Sequence, residues 1–142
     1  MFCIQVSIAP LSSKKVIMAK VLAVDDNEFF RRLLCERFNG EDDFDVCGEA
    51  ENGKEAVEQT VKLQPDLVVL DLVMPVMNGI DAARVLRLLR PTLPLILNSA
   101  LEDSLSEQQA RLIGIVEIVP KSAAALIEKA RRMLYSDHRA VA

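Results

Sequence analysis

The sequence lacks tryptophan altogether and contains only one tyrosine, one histidine and three cysteines. Cys3, Cys35 and Cys47 are odd in number and widely spaced, without a CxxC pair, so they predict reduced thiols in a cytoplasmic protein rather than a disulfide framework. A zinc site is not indicated, because the single histidine, His138, has no group of further ligands near it in the sequence. With so few aromatic residues, the core must consist mainly of valine, leucine, isoleucine and alanine.

Long apolar runs and an excess of basic residues are also missing. No apolar run reaches the length of about 18 residues that a membrane-spanning helix needs, so we expect no membrane insertion. The formal net charge of −4 gives no support for direct nucleic-acid binding. Residues 1–17 lack the basic start of a secretory signal. We expect residues 1–18 to be an extension outside the fold, and translation could begin at Met1 or at Met18.

What the chain does contain is a regular alternation of short apolar runs and amphipathic stretches. The apolar runs predict strands, and the helical spacing of apolar residues between and after them predicts helices. The predicted strands are residues 20–26, 44–49, 66–71, 95–99 and 115–119, and the predicted helices are residues 27–38, 52–63, 80–89, 103–112 and 122–134. Asn27 can cap the first helix and Asn39-Gly40 can end it, whereas residues 136–142 are expected to fray as a C-terminal tail.

This order of elements indicates the fold class. Strands that alternate with helices are typical of an α/β fold with a parallel, doubly wound sheet and helices on both faces. The common five-stranded version is flavodoxin-like, with strand order 2-1-3-4-5, and binds ligands beyond the carboxyl ends of its strands. The third predicted strand, DLVVLD, is apolar on both faces, as a central parallel strand should be. We therefore expect one such domain over residues 19–135.

Polar residues stand at the carboxyl ends of these apolar strands. Asp25 and Asp26 end the first predicted strand, Asp71 ends the third, Ser99 ends the fourth and Lys121 follows the fifth. A parallel sheet brings all of these ends to one edge, so residues far apart in the sequence should meet in one pocket.

These residue types together favour phosphoryl transfer. Three clustered carboxylates repel one another, and a hard divalent cation with oxygen ligands, Mg²⁺, would compensate them. Lys121 offers a second positive charge and Ser99 a hydroxyl donor. Metal, cation, donor and nucleophile are the parts that phosphoryl transfer needs, and a carboxylate can be the nucleophile, which forms an aspartyl phosphate.

With these residues in view, the sequence resembles the receiver domain of bacterial two-component response regulators. The matching motifs are VDDN at 24–27, DLVMPVMNG at 71–79, NSA at 98–100 and PKS at 120–122, and the resemblance covers residues 19–134. The segment 71–79 is the most specific of them. The stretch VCGEAENGKEAVE at 46–58 is most similar to receivers that usually precede a helix-turn-helix output domain.

The resemblance implies that Asp71 is the phosphoacceptor of a signalling switch. It also implies a Mg²⁺ ion bound by the side chains of Asp26 and Asp71 and by the backbone carbonyl of Val73. Asp25 would act near the metal through a water molecule.

Further roles follow from the same resemblance. Lys121 would pair with the phosphoryl oxygens, and Ser99 would hydrogen-bond the phosphoryl group and move inward in the active state. Pro75 and Gly79 would shape the loop after the acceptor.

The sequence departs from the family pattern at several positions. Ile118 stands where the family often has an aromatic switch residue, so an aromatic ring rotation is not available. Ser122 follows the lysine in place of the frequent proline, and Pro120 before it is unusual. Val73 and Leu101 should flank the path of an attacking water. Because apolar side chains cannot orient that water, slow self-dephosphorylation is expected.

The resemblance also implies partners. A sensor histidine kinase or a histidine phosphotransfer protein would donate the phosphoryl group. Because no effector domain follows in this sequence, output would be a contact with a downstream protein at the face formed by the helix at 103–112, the fifth strand and the last helix. A phosphorylation-dependent homodimer is a further option.

Two other functions compete with this interpretation. One is a phosphorylation-independent interaction module on the same fold, which Ile118 supports and the intact set of acids and lysine opposes. The other is a haloacid-dehalogenase-type phosphatase, which would need an aspartate two residues after Asp71, where the sequence has Val73. We therefore predict a signalling receiver that assists its own phosphorylation and dephosphorylation, and not an enzyme acting on a separate substrate.

Overall fold

The computed structural model describes residues 18–99, 108, 111–114, 117–120 and 125–141 of the chain, with side chains described for most of them. The strands are β1 (Ala19–Val24), β2 (Phe44–Ala50), β3 (Leu67–Leu70), β4 (Leu95–Ser99) and β5 (Glu117–Pro120). The helices are α1 (Glu28–Asn39), α2 (Gly53–Leu63), α3 (Gly79–Leu89) and α4 (Leu126–Val141). Residues 111–113 are also helical.

The strands form one parallel sheet in the order β2-β1-β3-β4-β5. The predicted fold class and strand order are therefore confirmed. The register pairs Val24 with Leu70, and Leu70 with Leu97, so β1, β3 and β4 end at nearly the same level. This common level is what allows residues just beyond the three strands to approach one another.

The core has two layers, one on each face of the sheet. Residues along one strand alternate between them: Leu95 and Leu97 of β4 pack toward α2 and α3, whereas Ile96 packs toward α1 and α4. Both layers are aliphatic apart from the edge-to-face pair Phe38–Phe44, whose ring centroids are 5.0 Å apart. The expected valine, leucine, isoleucine and alanine core is thus present.

Asparagine residues cap the start of three helices. Asn27 and Asn52 come soon after the carboxyl ends of β1 and β2, and Asn78 ends the loop that follows β3. The side-chain oxygens of Asn27, Asn52 and Asn78 each accept a hydrogen bond from the backbone N–H three residues later, at 3.1, 2.9 and 2.8 Å. Such caps satisfy an N–H group that the helix itself cannot satisfy. They fix where α1, α2 and α3 begin relative to the sheet edge.

Some predicted boundaries were wrong. The strands β1 and β3 end at Val24 and Leu70, one or two residues earlier than predicted, so the aspartates do not end the strands but lie just after them. The last helix continues to Val141, although residues 136–142 were expected to fray. No glycine or proline interrupts the sequence from Leu126 to Val141, and most residues there favour helix.

Other predictions fall partly outside the described residues. These include most of the helix at 103–112, the beginning of the fifth strand at 115–116 and the beginning of the last helix at 122–124. Residues 1–17 of the proposed extension at 1–18 are likewise outside them. In the part of the chain that is described, no helix is both long enough and apolar enough to cross a membrane.

Candidate functional site at the carboxyl edge of the sheet

Three aspartates meet at the carboxyl edge, as the sequence predicts. Carboxylate oxygens of Asp25, Asp26 and Asp71 lie within 4.8 Å of one another. Asp25 is 1% exposed and Asp71 is 6% exposed, whereas Asp26 is open to solvent. Two of the three acidic side chains are therefore buried, and their mutual repulsion is not screened by water as it would be on an open surface.

The backbone of Asp25 and Asp71 is fixed by neighbouring strands. The Asp25 N–H donates to the carbonyl of Ala50 at 3.1 Å, and the Asp71 N–H donates to the carbonyl of Val24 at 2.9 Å. One carboxylate oxygen of Asp25 accepts from the Asn27 N–H at 2.9 Å. Hydrogen bonds to the sheet therefore hold the backbone of Asp25 and Asp71 in place, and the start of α1 also holds Asp25.

The loop after Asp71 folds back on the Asp71 backbone. The Gly79 N–H donates to the carbonyl of Leu72 at 2.9 Å. A Cβ atom at Gly79 would lie 2.2 Å from the carbonyl oxygen of Asp71, so only glycine permits this approach. The resemblance implies that Gly79 shapes this loop, and the close packing of Gly79 on Asp71 is consistent with that expectation.

The same loop is attached to the start of α2. The Gly53 N–H donates to the carbonyl of Met77 at 2.8 Å, and a Cβ at Gly53 would clash with that carbonyl at 2.5 Å. Between these contacts, Val76 adopts a left-handed backbone with φ of 69°. The loop at 71–79 is therefore held at both ends with strain at its tip.

The remaining predicted site residues are only partly described. Ser99 is the last residue of β4 and is 5% exposed, next to the strand that leads to Asp71. It pairs in register with Pro120, the last residue of β5. Lys121 follows Pro120 directly in the sequence but lies outside the described residues, as do Leu101 and Ser122. Val73 stands in the loop after Asp71 with its side chain 66% exposed.

Ile118 stands at the position where the receiver family often has an aromatic switch residue. It is paired in register with Leu97 and is partly buried against the core layer on the α2 and α3 side. An aliphatic side chain therefore occupies part of the core here.

Two polar residues near the site were given no role from the sequence, although Asn98 is part of the NSA motif at 98–100. Arg31 of α1 donates from Nη1 to the backbone carbonyl of Asp25 at 2.8 Å. Asn98, beside Ser99, is 8% exposed, and its Oδ1 atom has no hydrogen-bond partner among the residues that the structure describes. It lines a small surface pocket together with Phe30 and Leu126. In the sequence, Arg31 is recognisable only as an arginine about one helical turn after the two aspartates. Arg32 has nearly the same spacing, so the sequence does not distinguish the two arginines.

The described cysteines are free and lie away from this edge, in α1 and β2. Cys35 and Cys47 are both half-buried thiols. Burial raises the pKa of Cys35 to about 11 and also raises the pKa of Cys47. Because the thiolate is the reactive form, the raised pKa lowers the reactive fraction of both thiols at neutral pH.

A parallel sheet of this strand order with an acidic cluster at its carboxyl edge is the arrangement of a receiver-type signalling domain. The family model for the response regulator receiver domain matches residues 21–131, so the chain belongs to that family. It is a receiver domain of two-component systems, a class of domain that interacts with histidine kinases or phosphotransfer proteins.

Curated relatives carry the same stretch as part of longer proteins. The chain is 42% identical over 121 residues to protein-glutamate methylesterase/protein-glutamine glutaminase 4 of Hahella chejuensis, which is 82% of this chain and 31% of that protein. It is 39% identical over 119 residues to the corresponding protein of Pyrococcus abyssi, again 82% of this chain and 31% of the relative. The chain thus spans about a third of the length of these relatives.

Solved structures show the same domain. The response regulator domain of Thermotoga maritima CheB has a TM-score of 0.70 at 29% identity, covering 87% of this chain and 96% of that one. A LuxR-family two-component response regulator from Aurantimonas sp. SI85-9A1 has a TM-score of 0.80 at 26% identity, covering 84% and 86%. CheY in the CheX-CheY-BeF3-Mg+2 complex of Borrelia burgdorferi has a TM-score of 0.76 at 25% identity, covering 89% and 93%.

Proposed function

We propose that Asp71 is the phosphoacceptor of this receiver. The observation that carries the proposal is the position of its carboxylate, which is nearly buried just beyond β3 and within 4.8 Å of the carboxylates of Asp25 and Asp26. Three carboxylates this close repel one another, and a cation bound at the site would compensate their charge. A structural aspartate at a strand end would not need two further carboxylates.

The donor is a phosphohistidine of a sensor histidine kinase or of a histidine phosphotransfer protein. A carboxylate oxygen of Asp71 attacks phosphorus, the P–O bond forms as the P–N bond breaks, and the imidazole leaves as the neutral ring after taking up a proton. The product is an aspartyl phosphate. The 6% exposure of Asp71 limits access of bulk water to this product.

The donor set fits a magnesium ion. Asp25, Asp26 and Asp71 offer carboxylate oxygens, the ligands that Mg²⁺ prefers, and the described part of the site contains no competing thiol or imidazole among these ligands. We propose that Asp26, Asp71 and the backbone carbonyl of Val73 hold the ion, with Asp25 acting through a water molecule. When bound, Mg²⁺ supplies positive charge that stabilises the oxygens of the transferred group.

Two further residues complete the proposed site. Ser99 places a hydroxyl at the end of β4, next to the strand that leads to Asp71, and it would donate a hydrogen bond to a phosphoryl oxygen. Lys121 would contribute the second cation, and its place in the sequence after Pro120, which pairs with Ser99, supports that role. Both groups would stabilise charge that develops during transfer.

The output of the switch is proposed as a contact with a downstream protein at the face that includes β5 and α4. A phosphorylation-dependent homodimer through the same face is a second form of that output. We place the reaction in the cytoplasm, which the two free thiols, Cys35 and Cys47, support.

Intact-mass spectrometry with acetyl phosphate tests the proposal. We expect a Mg²⁺-dependent, base-labile phosphoryl adduct on the wild type and no adduct on Asp71→Ala. Asp81→Ala is the matched control, because Asp81 lies on α3 with its side chain 53% exposed and pairs with Arg84. It should be phosphorylated like the wild type. A wild-type protein without adduct at saturating donor and Mg²⁺ would contradict the proposal and favour a phosphorylation-independent interaction module.

A further inference from the structure

Arg31 connects the acidic turn to the end of the neighbouring strand. Its Nη1 atom donates to the backbone carbonyl of Asp25 at 2.8 Å, and its Nε atom donates to Oε1 of Glu49 on β2 at 2.9 Å. The arginine side chain is 13% exposed, whereas that of Glu49 is 53% exposed. Arg31 is therefore a nearly buried cation with two acceptors in different elements.

These contacts complete a frame around Asp25. Its N–H donates to Ala50 on β2, its carboxylate accepts from the Asn27 N–H, and its carbonyl accepts from Arg31. The Arg31 N–H in turn donates to the carbonyl of Asn27 at 2.9 Å. The groups of Asp25 and Asn27 in these contacts belong to the turn between β1 and α1, and this turn carries both Asp25 and Asp26.

We propose that Arg31 is a positioning residue for the magnesium site, an inference that rests on the proposed function. Its guanidinium holds the turn so that Asp25 and Asp26 stay close to Asp71 in spite of their repulsion. The planar fork contacts Asp25 and Glu49 through two different nitrogen atoms in a fixed geometry, which the single ammonium nitrogen of a lysine does not reproduce. Residues that orient metal ligands commonly change metal affinity by about 10- to 100-fold when they are replaced.

The positioning role and simple charge repulsion predict opposite changes in metal affinity when Arg31 is replaced, so the two explanations can be separated by experiment. The cation Arg31 contacts the backbone of Asp25, and the anion Glu49 contacts Arg31. Removing a positive charge near a divalent cation site should tighten metal binding if charge were the dominant effect. If Arg31 acts by holding the turn, its removal should weaken metal binding.

The experiment measures Mn²⁺ binding by electron paramagnetic resonance, with Mg²⁺ as competitor, on the full chain. We expect Arg31→Gln to weaken binding by roughly tenfold, and Arg31→Lys to weaken it nearly as much although the charge is kept. Arg32→Gln is the matched control, because Arg32 is the next residue, is 70% exposed and pairs with Glu28. It should bind Mn²⁺ as the wild type does.

Two further variants keep the test decisive if Arg31→Gln folds poorly. Glu49→Ala removes one acceptor of Arg31 at a half-exposed position, and we expect a smaller loss in the same direction. Because the lost negative charge also weakens cation binding, this variant is informative only together with Arg31→Lys. The double variant Arg31→Lys, Glu49→Ala should then lose less than the sum of the two single effects, because both act through one contact. At saturating Mg²⁺, phosphorylation of Arg31→Lys by acetyl phosphate should approach the wild-type rate.

The outcomes separate this inference from the proposed function. If the wild type binds neither Mn²⁺ nor Mg²⁺, the proposed function fails. If the wild type binds and Arg31→Lys retains full affinity, or Arg31→Gln binds as tightly as the wild type or more tightly, only the positioning role of Arg31 is overturned.

Discussion

Gly79 packs directly on the backbone of Asp71: a Cβ atom at position 79 would lie 2.2 Å from the Asp71 carbonyl oxygen. The start of α3 therefore packs so closely on Asp71 that no side chain fits between them at position 79. This contact places the first turn of a helix beside the proposed phosphorylation site.

The first prediction concerns this contact. Gly79→Ala should lower the free energy of unfolding by about 2 kcal/mol, because backbone atoms must move to admit a methyl group. It should also reduce phosphorylation, since the shift occurs at Asp71. Gly40→Ala is the control, because its Cβ would lie 3.2 Å from the Glu36 carbonyl in a helical backbone. Urea unfolding followed by circular dichroism measures both, and equal losses would contradict the prediction.

The second prediction concerns the strained tip of the same loop. Val76 is 79% exposed and has φ of 69°, and the Met77 N–H donates to the Pro75 carbonyl at 2.7 Å across it. A β-branched residue is unfavourable there, so Val76→Gly should raise the free energy of unfolding by about 1 kcal/mol. Val73→Gly, in the same loop without positive φ, should lower it instead. A loss of stability in Val76→Gly would show that the backbone is not strained.

The third prediction concerns pH and the ion pair that joins α4 to the start of β2. Arg131 donates to both carboxylate oxygens of Asp43 at 2.8 and 2.9 Å, and its guanidinium lies 5.7 Å from the centre of the Phe44 ring. The hydrogen bonds from Arg131 lower the pKa of Asp43 below its ordinary value. The stabilisation from this carboxylate is therefore complete above the unfolded pKa, about 4, and is lost as pH falls through the lower folded value.

Arg131→Met tests this linkage. At pH 7 we expect it to lower the free energy of unfolding by about 1 kcal/mol, a small value because both side chains are partly exposed. The difference from the wild type should stay constant down to about pH 5 and shrink below about pH 4, as Asp43 becomes protonated in both proteins. Arg132→Met, the exposed neighbour, is the control. A difference that did not change with pH would assign the effect to packing on Phe44.

The fourth prediction concerns the lifetime of the phosphorylated state. The exposed, apolar Val73 cannot orient an attacking water, so spontaneous loss of the phosphoryl group should be slow. Val73→Asn adds an amide that can hydrogen-bond this water, and we expect dephosphorylation several-fold faster. Phosphoryl loss followed by intact mass after removal of the donor measures the rate. An unchanged rate would contradict the role given to position 73.

The sequence was sufficient to predict the strand order and the meeting of the three aspartates. Both follow from a simple pattern: apolar runs define parallel strands, and parallel strands bring their carboxyl ends to one edge. The ends of β1 and β3 were less predictable, because no glycine or proline separates Val24 from Asp25 or Leu70 from Asp71 to mark where the strand stops. The end of α4 was also missed, because nothing in the sequence from Leu126 onward distinguishes a frayed end from a continuing helix.

Arg31 and Asn98 could not be assigned from the sequence for a physical reason. An arginine on a helix surface is usually solvated, and only the three-dimensional position of the Asp25 carbonyl distinguishes Arg31 from Arg32. Asn98 occupies an inward position on β4, where a buried amide oxygen without a partner costs about 1–3 kcal/mol. Pattern analysis expects an apolar residue at such a position, and it offers no reason for an asparagine.

The most direct test of the central claim is to locate the phosphoryl group. The wild type is phosphorylated with acetyl phosphate and Mg²⁺ and then treated with borohydride, which reduces an aspartyl phosphate to homoserine. The proteolytic peptides are sequenced by mass spectrometry. The account predicts homoserine at position 71 alone, and only when Mg²⁺ was present. Homoserine at position 25 or 26 instead, or trapping that does not depend on Mg²⁺, would contradict it.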